Sequence, residues 1–381
     1  MTSRERVEAV LDGRTPDRPP VMHVTFSSRV ASEILGRKAH VGGAIQRWRE
    51  SVAIWEGPDA HEAFVQRCIN DAIDIAEAFG HDMIRPGYWR YRRVPTERID
   101  EYTFRYDDPD GRWEILRLDP ETELYNPIDS SPALERVPED LEAETEAAEQ
   151  AANDYQPTEE DFEEILAVLA RKDDTHAVRV DAAQTALSTE DPLWMEASLL
   201  RPDLCERLLD SQVTRSIKKI DFLYQRGARV FFGGGDMASE LGPIYSPKVF
   251  HDLLVPRLKV ISDHCHKLGA AHLFCTDGNV WAVAEDFYVH SGIDGHCEFD
   301  RKAGMDILKL HERFPHITMI GNISSYTLHT GSVEDVIAET RACVEEARTT
   351  GKVIVGCSNL IVPETPMRNV EAMIKTIEKY R

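Results

Sequence analysis

From His176 onward the chain alternates short runs of β-branched and apolar residues with longer amphipathic stretches closed by glycine, a rhythm that few folds accept. Strands are expected at Ala177 to Val180, Ala228 to Phe232, Ala270 to Phe274, Gly292 to Cys297, Ile317 to Ile320 and Lys352 to Gly356. Helices are expected between them, at Pro202 to Gln225, Ser246 to Leu268, Asn279 to His290, Met305 to Phe314 and Val333 to Thr349, with Pro366 to Lys379 last. Ser246 to Leu268 is the best marked: Ser at the cap, Pro247 in the first turn and Gly269 just beyond the end. Upstream, Ser3 to Leu11 reads as a short helix, Pro19 to Thr25 as a first strand, His61 to Phe79 as a helix closed by Gly80, and Asp82 to Pro86 as a strand behind it.

About eight strands separated by helices imply crossover connections and a parallel sheet. Eight repeats are what a (β/α)8 TIM barrel requires, although a doubly wound sheet has the same periodicity. No Pro/Gly/Ser-rich linker divides the 381 residues, so residues 1–381 are read as one α/β barrel domain. Two additions are expected: an N-terminal helical extension at 1–18, and an inserted β-hairpin at 93–125 turning at Asp107-Asp-Pro-Asp-Gly111.

The net charge of −23 repels phosphate backbones and anionic membrane surfaces, which argues against a nucleic-acid or membrane partner. Glu139 to Glu164 alone carries twelve carboxylates and no Lys or Arg, and reads as a solvated helical face. No apolar run approaches the roughly 18 residues of a membrane span. The opening Met1-Thr-Ser-Arg-Glu-Arg-Val shows no secretory signal, so a cytoplasmic location is expected. Seven cysteines, without disulfide-framework spacing, are then free thiols.

In a barrel, chemistry sits at the carboxyl ends of the strands. Those ends carry His23, Arg85, Asp181 with Gln184, Asp236, Cys275 with Asp277, His296 with Cys297 and Glu298, Asn322, and Cys357 with Asn359. Thiols at strand ends can converge on zinc, or they can be small buried hydrophobes. His264-Cys-His266 lies at a helix C-terminus, where consecutive residues point apart, and is better explained by capping. Gly233-Gly-Gly-Asp236 lacks the spacing of a phosphate loop; its glycines are expected to turn the backbone at the rim and hold Asp236 toward the mouth. Asp236 and Asp277 are candidate acid/base groups or ligands, with a salt-bridged structural role equally open.

Several segments resemble the uroporphyrinogen decarboxylase superfamily, which includes cobalamin-dependent methyltransferases. They are the opening from Met1 to Val21, Phe231-Phe-Gly-Gly-Gly-Asp-Met-Ala-Ser239, Leu241-Gly-x-x-x-Ser-Pro-Lys-Val-Phe250, Cys275-Thr-Asp-Gly-Asn-Val280, Ala303-Gly-Met-Asp306, Ile320-Gly-Asn-Ile323 and Pro363-x-Thr-Pro-x-x-Asn369. The resemblance spans nearly the whole chain and itself implies the barrel. True decarboxylases of the family carry an arginine-rich motif after the first strand; here that region is Met22-His-Val-Thr-Phe-Ser-Ser-Arg29, with Arg29 alone. A substrate with many carboxylates needs several guanidiniums, so the resemblance favours the methyltransferase branch.

Thiol-activating members of that branch hold zinc with a His-x-Cys pair and a distant Cys. Here Cys275-Thr-Asp277 occupies the first pair and Cys357 matches the last. The resemblance thus implies a zinc site of Cys275, Asp277, Cys297 and Cys357, with His296 as another candidate to complete it. Asp236 and His296 become the catalytic candidates; His23, Arg85, Gln184 and Asn322 the substrate-binding ones. The implied activity moves a methyl group between a small methylated substrate and a corrinoid. No DxHxxG corrinoid motif is present, so the corrinoid is expected on a separate partner protein, and a homodimer is compatible with the family. The alternatives are a metal-free decarboxylase of a small carboxylic acid and a non-catalytic binding barrel.

Overall fold

The computed structural model describes residues 1–86, 90–133 and 136–381. Seven parallel strands form one sheet whose spatial order is the chain order: Met83–Ile84, Ala177–Asp181, Val230–Gly234, Ala271–Cys275, Gly295–Phe299, Thr318–Ile323 and Val353–Cys357. The segment from Pro20 to Phe26 joins the two edges. Met22 and Val24 donate their N–H groups to the carbonyls of Val355 and Cys357, Val355 donates to Pro20, and on the other side Asp82 donates to Val21. The sheet is thereby curled into the expected parallel α/β barrel, with this segment as its first strand.

Strand alternation sets which residues fill the barrel and which meet the helices. Met22, Val24, Met83, Ala177, Val230, Phe232, Leu273, Cys275, Cys297, Ile320 and Ile354 form the interior cluster. Val7 and Val10 of the first helix, Ser3–Leu11, belong to the same cluster. That helix starts in a capping box made by Thr2 and Glu5 and lies across the amino ends of the strands, where Arg4 N–H donates to Thr175 and Thr318 Oγ1 donates to Val10. The N-terminal extension is therefore the plug of the barrel, and the opposite end is left as its mouth.

Local structure departs from expectation in three places. The insertion is a four-stranded antiparallel sheet, Glu97–Arg98, Thr103–Asp107, Trp113–Asp119 and Leu124–Ser130, with the expected hairpin at its centre. Its buried Phe104, Tyr106, Leu116, Leu118 and Tyr125 pack with Ile45 into a separate small core. Ser246 to Leu268 is not one continuous α-helix: a π turn, Phe250–Leu254, precedes the α-helix Val255–Leu268. Pro256 has no N–H for the carbonyl four residues back, and a one-residue bulge is a known way to absorb that loss. The stretch from Asn279 likewise ends in a π turn, Asp286–His290.

The acidic stretch forms the helix Asp140–Asp154, then Glu163–Lys172, and is paired as well as solvated. Arg207 bridges Glu142 and Glu149, and Arg136 holds Glu144. Among the described residues no helix is long and apolar enough to cross a membrane.

Candidate active site

The loops after the fourth and fifth strands build the mouth by packing backbone against backbone. A Cβ at Gly233 would lie 2.3 Å from the Ala183 carbonyl oxygen, and Gly278, at φ +83°, would meet the Ala238 and Ser239 carbonyls at 2.6 Å. The glycine run therefore serves close approach, since Gly233, Gly234 and Gly235 keep ordinary backbone angles and no left-handed turn is needed.

Three carboxylates converge there. Asp236, Asp277 and Glu298 place one oxygen each within 4.8 Å of the others. Asn359 donates its Nδ2 to both oxygens of Asp277, 2.9 Å each, and fixes that carboxyl's plane. Glu298 arrives by a β-bulge, where the register between the sixth and seventh strands shifts between Cys297 and Phe299. Its φ of +70° is a strained backbone of the kind found at functional sites. Burial pushes the Asp277 carboxyl up to about 7, helped by the negative charges of Glu298 and Asp236 and opposed by the Asn359 hydrogen bond. Burial raises Glu298 too, with Arg179 and Arg85 pulling the other way. A carboxyl raised as far as that of Asp277 holds a proton near neutral pH and can deliver it. The adjoining cleft, about 500 Å³, is lined by Asp277, Asn359, Ser358, Asp300, Lys302 and Tyr326 among others.

Beneath the mouth lies a buried ionic floor. Arg179 points into the barrel, its Nε 2.9 Å from Asp181 Oδ1, its Nη2 3.3 Å from Cys275 Sγ and its Nη1 3.6 Å from Cys297 Sγ. Its guanidinium also sits 4.3 Å from the Phe232 ring centroid. Arg85 Nε reaches the other Asp181 oxygen at 3.2 Å, and its Nη1 donates to the Val24 carbonyl. Burial works against the Asp181 charge, but the two guanidiniums outweigh it and hold the carboxyl below its ordinary value.

The sequence-derived candidates separate accordingly. Asp236 and Asp277 meet at the mouth. Cys275 and Cys297 are paired neighbours on adjacent strands, both facing Arg179 inside the barrel. Cys357 is not with them: it shares the outer core with Val353, Val355 and Met319, and burial pushes its thiol up to about 12. The reason is the two-residue period of a strand, which turns 353, 355 and 357 toward the helices and 354 inward. Among the described residues, groups of three or more metal-type donors within 4.8 Å are His251/Asp286/His290 and Asp236/Asp277/Glu298, so the four-residue cysteine and aspartate set is not assembled.

His296 does not join the carboxylates at the mouth. It lies between sheet and helices, fully buried, with Nδ1 2.8 Å from the Tyr288 hydroxyl and Nε2 2.9 Å from the Thr276 carbonyl oxygen. Burial lowers it to about 4, so it stays neutral. His23 also faces outward, accepting the Cys357 N–H at Nδ1 with 2.9 Å, and lines a small cavity of about 30 Å³ together with His81, Phe26 and Arg85. Burial lowers His23 to about 3, and its Nε2 finds no partner among the described residues. Gln184 is exposed in the loop after the third strand. Asn322 is buried, donating its Nδ2 to the Met305 carbonyl at 3.1 Å.

Arg179 was not among the sequence-derived candidates. Its signal is an arginine inside the apolar strand Ala177-Val-Arg-Val-Asp181, with an aspartate two residues along on the same face.

A parallel α/β barrel that gathers perturbed carboxyls at the carboxyl ends of its strands has the layout of a TIM-barrel enzyme. Residues 187–380 match the model of the uroporphyrinogen decarboxylase (URO-D) family, and the chain belongs to that family. Among solved structures it is similar to a methyltransferase from Methanosarcina mazei, 19% identical, over 100% of this chain and 99% of the other, with a TM-score of 0.65. That likeness shows a shared fold along the whole length. A D-psicose 3-epimerase from Clostridium cellulolyticum H10 is more distant, at 10% identity, 64% of this chain, 92% of the other and a TM-score of 0.33. No curated protein sequence matches the chain.

Proposed function

We propose that the chain is a methyltransferase that moves a methyl group between a small methylated substrate and a corrinoid carried on a separate protein. The observation that carries this reading is the acidic mouth. Demethylation of an ether or amine leaves a heteroatom that must be protonated, and Asp277, pushed up to about 7, is a carboxylic acid able to do so at neutral pH. Asn359 orients that acid, while Glu298 and Asp236 keep its proton on by repulsion. Among the described residues a polycarboxylate substrate finds no arginine cluster at the mouth: Arg85 and Arg179 are engaged with Asp181, and Arg29 donates to the Pro120 and Glu121 carbonyls. A neutral or cationic substrate suits three converging carboxylates better.

A reduced corrinoid, brought by its own protein, supplies the methyl acceptor when docked. The rim offers apolar surface for such a visitor, with Leu241 95% exposed on the loop between Ala238–Ser239 and Gly242–Pro243, and Tyr326 65% exposed across the cleft. Zinc is a weaker fit than the resemblance implies. The thiols of Cys275 and Cys297 face Arg179, and Cys357 lies behind the sheet. What converges is an all-oxygen donor set, which suits harder cations. The acid/base role of Asp277 needs no metal.

The test is methyl transfer from methoxylated aromatic and methylated amine substrates to reduced cobalamin, comparing wild type with Asp277→Asn. Wild-type transfer with a loss of about 10²–10⁴-fold in the variant supports the reading. Equal rates would remove Asp277 from the mechanism. Carbon dioxide release from small acids, with no methyl transfer, would install the decarboxylase reading instead.

A further inference from the structure

Away from the mouth, the two π turns face each other. His251 belongs to Phe250–Leu254 and Asp286 and His290 to Asp286–His290. Asp286 Oδ1 is 2.8 Å from His251 Nδ1 and 2.7 Å from His290 Nδ1, so two imidazoles from different elements aim at one oxygen. The three donor atoms lie within 4.8 Å of one another. Both rings are more than half exposed, at 59% and 51%, while the carboxylate between them is 17% exposed, so the pocket is open to solvent and its anion is held in place.

We propose that His251, Asp286 and His290 form a surface site for a borderline divalent cation, zinc first among them, with water completing the coordination. Two imidazole nitrogens and one carboxylate oxygen are the donor mixture such ions prefer. Bonds of about 2.1 Å in a tetrahedral shell separate donors by roughly 3.4 Å. Exposed rings reach that from 2.7 and 2.8 Å by small side-chain rotations. Without metal the Nδ1–H groups donate to Asp286, and the ion takes the place of those protons. The nearby cation does not compete, since Lys248 is paired with Asp252. The π turns add a second reason to look here, because such bulges gather at functional positions and both of these carry ligand-type residues. The ion would tie the turn that starts the helix after the fourth strand to the turn that leads into the sixth.

The experiment is zinc titration by calorimetry, with cobalt absorption as a second reading, on full-length chain stripped with a chelator and dialysed. Wild type, His251→Ala/His290→Ala and Asp277→Asn are compared. Wild type and Asp277→Asn should each bind zinc at this site. The double histidine variant should lose one equivalent, or bind it about a hundredfold more weakly, since even partners behind the ligands are worth tenfold or more. Added zinc should raise the melting temperature of wild type and not of the double variant. The proposal is overturned if wild type binds no zinc, or if the double variant keeps the same stoichiometry, affinity and melting shift. Because both rings are largely exposed, the double variant is expected to fold, which its circular dichroism will verify. The methyl-transfer reading is unaffected by either result.

Discussion

Two parts of this molecule are crowded with carboxylates, and they are built in opposite ways. Along the acidic helix, Arg207 holds Glu142 and Glu149 below their ordinary values through hydrogen bonds, and the charges stay at the surface. At the barrel mouth, Asp277 and Glu298 are drawn out of water beside another carboxylate, and both are raised. Paired, solvated acids cost little. Acids drawn together out of water oppose folding, and a protein keeps such an arrangement where the proton is used.

The widest separation between the regions should come from their arginines. Arg179→Met removes a buried guanidinium and leaves the half-buried Asp181 with Arg85 as its remaining partner, and should cost about 2–3 kcal/mol in urea unfolding. A cost below about 1 kcal/mol would show that Arg179 is not needed as a counter-ion. The pH dependence comes next. A folded carboxyl raised from 3.8 to about 7 binds its proton more tightly than the unfolded one. Its stabilising contribution is therefore full below about pH 4 and is lost as pH rises toward and through 7. Wild type should lose stability relative to Asp277→Asn between pH 4 and 7, read from denaturant midpoints, and a flat difference would contradict the shifted proton.

Cys357→Ser tests the placement of that thiol. A hydroxyl in the outer core should cost about 1–3 kcal/mol while leaving methyl transfer and metal content as in wild type. Loss of bound metal would return Cys357 to the site. The smallest effect belongs to Arg207→Ala on the acidic helix, where exposed pairs are screened. Its melting temperature should barely move and should approach wild type in high salt; a large, salt-independent drop would make that helix a structural element in its own right.

Much of the frame was legible because its signals are local. Glycine after Phe79 and Leu268 and the Ser246 cap marked helix ends, and strand ends brought Asp236, Asp277, Glu298 and Asn359 onto one short set of candidates. What was not legible depends on which face a residue takes. Cys275 and Cys357 both end strands, yet one points into the barrel and the other toward the helices. The bulge at Glu298, which carries its carboxylate to the mouth, leaves no local mark, because it is fixed by pairing with a strand twenty residues away. Pro256 did carry a signal for the π turn, and the periodicity around it obscured that signal.

The most direct test of the acidic mouth is a potentiometric titration from pH 5 to 9, wild type against Asp277→Asn, counting protons released per chain. The expected result is about one additional proton released by wild type with a midpoint near 7. Superimposable curves across that window would mean that Asp277 is already ionised, and the mouth would then hold no acid ready for a leaving group.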